Sequence, residues 1–241
     1  MPLRPRVSLR AMLLVIPAFA LAAWVVRGVD DARRAARRSQ CSGNLAFIAL
    51  ALHNYHEAYG HFPPAYLVDA SGRPAHSWRV LILPFMEQGP LFNAYNFEEP
   101  WDGPNNARLA PRMPNVYACP NRDDGRDGLW TSYVALVGPD TAFPGDRPVS
   151  LRDVRDGTAD TLILGEADGL KIPWMAPRDL DVRSGLTISP AGLSSKDGAG
   201  AYGIFADASR RWLPQSTKPD VLRALTTIRG GEPVGREGPS R

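Results

Sequence analysis

The first quarter of the chain is one long helical pattern that changes character partway along. Residues 11–26, "AMLLVIPAFALAAWVV", carry no charge, and Arg4, Arg6 and Arg10 precede them. Sixteen residues fall slightly short of the roughly 20 that a spanning helix needs. Arg10 and Arg27 can snorkel, and Trp24 suits an interface, so a single membrane span is expected here. Pro17 would kink it, which a membrane helix tolerates. A cleaved secretory signal is the rival, because "AFALAA" offers A-x-A spacing at Ala18-Phe19-Ala20 and Ala20-Leu21-Ala22. Charge does not settle the orientation, since more arginines follow the span than precede it.

The chain then continues without a pause. "DDARRAARRSQCSGNLAFIALALHNYHEAYG" has no proline and, before its closing Gly60, one glycine, Gly43. Leu45, Ile48, Leu52 and Tyr55 recur on a single helical face. Ala35, Ala36, Ala46, Ala49 and Ala51 favour helix. One helix over about residues 8–59 is expected, about 75 Å long at 1.5 Å per residue. Its first third would lie in lipid and its last third would pack on a globular domain. Gly60 and Pro63-Pro64 stop it.

Beyond the helix the pattern is shorter and mixed. "SWRVLILPFMEQGPLFNAYNF" reads as helix broken at Pro84 and Pro90. "NVYACP", "TSYVALVG" and "TLILGEAD" have strand composition between turn signals. "AYGIFADASRRWLP" reads as a hairpin turning at Asp207-Ala208-Ser209. "KPDVLRALTTIRGG" opens a short helix at Lys218-Pro219-Asp220 and closes it at Gly230-Gly231. No βαβ alternation, glycine-rich phosphate loop or repeat is present. The predicted architecture is α+β. Its parts are a basic flank (1–10), a transmembrane anchor (11–26), an α+β domain that includes the amphipathic part of the helix (27–231), and a tail (232–241) too poor in apolar residues to order. With 22 glycines and 23 prolines, long loops are expected.

Net charge is +3, with Arg27, Arg33, Arg34, Arg37 and Arg38 clustered beside the apolar run. That placement suits a membrane surface better than nucleic acid. Cys41 and Cys119 are the only cysteines. An even pair downstream of an export segment suggests one disulfide, the alternative being two unrelated buried thiols.

Segments along nearly the whole chain carry a resemblance. "ARRAARRSQCSGNLAFIALALHNYHEAYGHFPP", "SWRVLILPFMEQGPLFNAYNFEEPWDGPNN", "YACP", "TSYVALVGPDTAFPG", "DGTADTLILGEA", "PWMAPRDL" and "FADAS" occur in order. Together they resemble a large bacterial family of pilin-like proteins labelled domain of unknown function 1559. The resemblance implies a long N-terminal helix packed on an antiparallel β-sheet, with short accessory helices. It also implies kinship with type IV pilins and type II secretion pseudopilins.

Two departures stand out. The family start, a Gly before a Phe-Thr-Leu-Ile-Glu-like run, is missing from "VSLRAMLLVIP". Prepilin cleavage and fibre assembly are therefore not expected. Near the C-terminus the family pattern of His, nine residues, Asp-Gly is degenerate: Asp197 stands for the His, and Asp207-Ala208 for Asp-Gly. Losing glycine at 208 makes a positive φ there harder to adopt.

Candidate chemistry is sparse. His53, His56 and His61 cluster at the helix end, with Glu57 beside them. Their spacing is not that of a zinc helix, and hydrogen bonds fixing a helix end to a loop explain them more simply. "NRDDGRDG" has Asp123, Gly125 and Asp127-Gly128, but the position of the expected bidentate Glu holds Val134, so a polar turn is favoured over a calcium loop. Glu166, Asp168 and Asp207 could meet across a sheet as paired carboxylates. Trp78, Trp101, Trp130, Trp174 and Trp212 read as core or loop anchors rather than a sugar platform. No enzyme activity, cofactor, metal, nucleic acid or small-molecule substrate is expected. The favoured function is a single-pass protein of the cytoplasmic membrane with its domain outside, a structural or accessory part of a secretion or surface apparatus. The alternative is an envelope binding module or hydrolase.

Overall fold

The computed structural model describes residues 9–120, 129–196 and 198–231; for residues 9–23 and Arg34 it describes the backbone alone. The chain divides into two compact units, Met1–Ser39 and Gln40–Arg241. Helix α1 (Leu9–Tyr59) runs through both, in close agreement with the expected bounds. It ends where Gly60 takes a φ of +80° and its N–H bonds the carbonyl of His56 at 2.8 Å. Glycine adopts that left-handed conformation without a Cβ penalty, which is why the helix stops there.

In the first unit every described side chain is exposed. Among the described residues no helix is long and apolar enough to cross a membrane, so the single-pass anchor expected over 11–26 is not supported. Most of that span, residues 11–23, lies outside the residues whose side chains are described, and from Arg27 onward α1 is heavily charged.

The second unit is built on sheet and loops. A small hairpin of β1 (Tyr66–Val68) and β2 (Pro74–Ser77) leads into α2 (Trp78–Leu81), a 3-10 turn at Leu83–Met86 and α3 (Gly89–Ala94). Pro84 and Pro90 sit in the opening turns of the last two, where a missing N–H costs nothing. The expected strand in "NVYACP" is instead a 3-10 turn, Asn115–Tyr117. Pro114 precedes it, and the N–H of Tyr117 closes back on the Pro114 carbonyl at 3.0 Å.

Next come β3 (Trp130–Thr131), β4 (Tyr133–Val137), β5 (Leu162–Glu166), β6 (Ile172–Pro173), β7 (Leu180–Asp181), β8 (Gly200–Phe205), β9 (Arg210–Pro214) and α4 (Pro219–Thr226). The main sheet has the order β7-β4-β5-β8-β9, while β3 and β6 form a separate pair. Strands β4, β5, β8 and β9 are antiparallel as expected, but β7 joins β4 in parallel.

Alternation along β4 decides the layers. Tyr133 and Ala135 belong to one apolar cluster, together with Leu45, Ile48 and Leu52 of α1. Val134 and Leu136 belong to the other, together with Leu222 and Leu225 of α4. The end of α1 therefore covers one face of the sheet, and α4 with nearby loops covers the other. Strands buried on both faces read as continuous apolar runs, which is the character of "YVALV" and "LILGE".

Candidate functional site

The residues that looked chemical in the sequence gather mainly where α1 meets the sheet. Cys41 and Cys119 form the expected disulfide, with Cα atoms 4.8 Å apart across 78 residues of sequence. Both are buried. The Tyr133 hydroxyl donates to the Cys41 carbonyl at 2.8 Å, and Asn44 Nδ2 donates to the Ala118 carbonyl at 3.1 Å. The Cys119 N–H donates to Ser132 Oγ at 3.0 Å. Burial pushes the Tyr133 hydroxyl well above its ordinary pKa, and the charges of Glu166 and Asp168 push the same way.

Glu166 is itself buried and accepts a long bond from the Tyr202 N–H at 3.4 Å. Its carboxylate and the two sulfurs lie within 4.8 Å of one another. With the sulfurs joined there is no thiolate for a metal ion to bind.

At the helix end His56 acts as a tether. His56 Nε2 accepts the Leu151 N–H at 3.1 Å, with Ser150 Oγ at 3.4 Å. Ser150 opens the 3-10 turn Leu151–Asp153 with a capping box, so His56 pins α1 to a preformed turn. His61 Nδ1 lies 2.8 Å from the Phe62 carbonyl, to which it can donate. His53 and His56 both meet the Phe62 ring edge-on, at 5.5 and 5.2 Å. Burial first, then the neighbouring His56, holds His53 below the ordinary histidine range, with Asp207 opposing. Burial, His61 and Arg152 lower His56 in the same direction.

Glu166 and Asp168 both act on the Tyr133 hydroxyl, but Asp207 does not join them. Glu166 stands beside Tyr202 near the start of β8, whereas Asp207 follows the end of that strand, where its N–H bonds the Thr158 carbonyl. Asp207 is exposed, and its Oδ1 accepts the Ser209 N–H at 2.8 Å. Ala208 nevertheless takes a φ of +65°, a left-handed conformation that favours glycine. Asp197, Asp123, Gly125, Asp127 and Gly128 lie outside the described residues. Trp78 and Trp174 are core residues, as expected, while Trp101, Trp130 and Trp212 are half-buried.

One charged pair escaped sequence reasoning. Arg79 is fully buried and forks onto Asp179, Nη2 to Oδ1 at 2.5 Å and Nη1 to Oδ2 at 3.3 Å. Asp179 also accepts from Trp78 Nε1 at 3.0 Å and from the Ala135 N–H at 2.7 Å. Arg79 Nη2 reaches the Tyr133 carbonyl at 3.0 Å, and its guanidinium lies 4.7 Å from the centre of the Trp78 ring. Burial pushes the Asp179 carboxyl up, against the pull of Arg79 and the N–H donors. The signal was available: one arginine inside the apolar run "SWRVLILPF".

These side chains define a class: an α+β domain closed by the end of a long helix, which a disulfide and the His56 tether hold in place, with a buried ion pair between α2 and the segment before β7. The chain belongs to the family described as protein of unknown function DUF1559 (SBP_bac_10), whose model matches residues 30–197. Comparison with curated proteins gives no match. Comparison with solved structures gives none either.

Proposed function

We propose that the protein is a non-enzymatic, pilin-like structural or accessory component of a secretion or surface apparatus, working outside the cytoplasm. The observation that carries this is the end of α1 packed on the antiparallel sheet and tied by Cys41–Cys119 to the connection before β3. A buried disulfide suits an oxidising compartment. The polar groups that could have served chemistry are engaged in structure instead: His56 on Leu151, Asp179 on Arg79. In this reading the uncharged stretch 11–26 of α1 holds the chain at the cytoplasmic membrane, and the domain faces outward.

The test is cross-linking of the full chain, expressed beside a working secretion or pilus apparatus. Adducts with subunits of that apparatus support the proposal. A chain that cross-links to none of them, and that cleaves or retains an envelope polymer, replaces it with a hydrolase or binding module.

A further inference from the structure

We propose that residues 24–38 of α1 are a docking face for the anionic surface of a phospholipid bilayer. The inference rests on the reading that the N-terminal part of α1 sits at a membrane, and it names the lipid chemistry that this part meets.

Two observations within the first unit carry it. The first is exposed apolar surface: Trp24 is 73% exposed, Val25 48%, Val26 58% and Val29 44%. The second is charge. Arg27, Arg33, Arg34, Arg37 and Arg38 stand against Asp30 and Asp31, which leaves this segment at +3. That equals the net charge of the whole protein, +3, so the rest of the chain is neutral on balance. Asp30 meets Arg33 at 3.8 Å with both side chains largely exposed, a pair too solvated to cancel much of the field.

The helix sorts these groups. At 3.6 residues per turn, Val25, Val29, Ala32 and Ala36 fall on one face. The positions of Arg27, Arg34 and Arg38 fall on the opposite face, which they share with Asp30 and Asp31; Arg33, Val26 and Arg37 lie between the two faces on one side and Trp24 on the other. From Arg27 to Arg38 is about 16 Å along the axis at 1.5 Å per residue. That is within reach of a headgroup layer and one Debye length of about 10 Å beyond it. Arginine stems can lie along the apolar boundary while their guanidinium groups fork onto phosphate oxygens. A nucleic acid would answer the arginines but not the exposed Trp24 and valines; a bilayer answers both.

The experiment offers the full chain, purified in detergent, to two vesicle populations at once. One is phosphatidylcholine and the other is phosphatidylcholine with a third of phosphatidylglycerol. Flotation then reports how the chain divides between them. The comparison is the triple variant Arg33→Gln, Arg37→Gln, Arg38→Gln, whose positions are exposed. Each arginine near an anionic surface strengthens binding by about fivefold, so the variant's preference for phosphatidylglycerol should fall by about a hundredfold. High salt should erase the preference of the native chain. An even division for the native chain, or the same preference in the variant, overturns the inference. Flotation with phosphatidylcholine alone tests the underlying membrane reading separately: association there without phosphatidylglycerol preference removes only the headgroup claim, whereas association with neither population removes both.

Discussion

Arg79 has no exposed side-chain surface, and Asp179 has almost none. A buried ion pair adds little net stability, but an orphaned partner is expensive. Asp179→Ala should therefore cost about 3–5 kcal/mol, read as a lower urea midpoint with the slope unchanged. A loss below about 1 kcal/mol, the level of a surface pair, would mean that Arg79 finds another acceptor. Ala208 is the opposite case. A left-handed non-glycine residue costs about 1–2 kcal/mol, so Ala208→Gly should raise stability by about 0.5–1 kcal/mol after the entropy that glycine adds to the unfolded chain. This residue was legible beforehand, because a turn needing positive φ is a local property. Asp179 was not, because its partner lies 100 residues away. The histidines set the pH response. His53, His56 and His76 are all lowered, each chiefly by burial. The unfolded chain then binds protons more readily than the folded one. Stability should be fully present above the unfolded value of about 6.5 and decline as pH falls below it toward the folded values. Urea midpoints between neutral and mildly acid pH should show that fall, and His56→Gln, which loses one of the three shifted groups, should show less of it.

Among the elements, α1 was the most legible and the connection around Cys119 the least. Helical periodicity over tens of residues needs no tertiary information, and the predicted stop at Gly60 matches its φ of +80°. The Asn115–Tyr117 turn was misread because aromatic and β-branched residues count toward strands. Tyr117 is aromatic for a different reason: its ring stacks on Trp174 at 5.9 Å, and its hydroxyl donates to the Arg79 carbonyl at 2.7 Å. The short strands β1, β3, β6 and β7 had no periodicity long enough to detect. The disulfide is the strongest tie between these legible and illegible parts. Closing 78 residues, it should contribute about 4 kcal/mol by loop entropy. Peptide mapping under non-reducing conditions should recover Cys41 and Cys119 in one linked species, and the Cys41→Ser, Cys119→Ser variant should lose stability on that scale. Two free thiols in protein taken from the cell envelope would count against both the bond and the extracytoplasmic placement.

At the scale of the molecule, the second compact unit begins at Gln40, one residue before the disulfide. A chain starting at Arg33 should accordingly keep the whole core and unfold in a single transition with the disulfide intact; a broad or multi-step transition would show that earlier residues of α1 are needed. The proposed pilin-like role carries a prediction about assembly, because "VSLRAMLLVIP" holds neither the glycine nor the glutamate of a prepilin start. A buried carboxylate in a helix bundle fixes register because leaving it unpaired is costly. Without it, and with arginines retained at positions 4, 6 and 10, small oligomers rather than sheared fibres are the expected outcome of co-expression with a pilus system. Shortening that depends on prepilin peptidase would refute this.

By itself the sequence determined the long helix, its stop, the two central strands, the β8–β9 hairpin and the start of α4, which ends at Thr226 rather than at Gly230-Gly231, because each follows from local periodicity and turn chemistry. It also marked the only two cysteines, but left open whether they pair or stay as two buried thiols. Tertiary structure alone decided that β7 adds in parallel, that Arg79 is buried on Asp179, and that His56 Nε2 accepts the Leu151 N–H. Those outcomes depend on which distant segments share a small volume. There, burial makes any unpaired polar group costly, so the partner is whatever donor or acceptor the fold brings within reach.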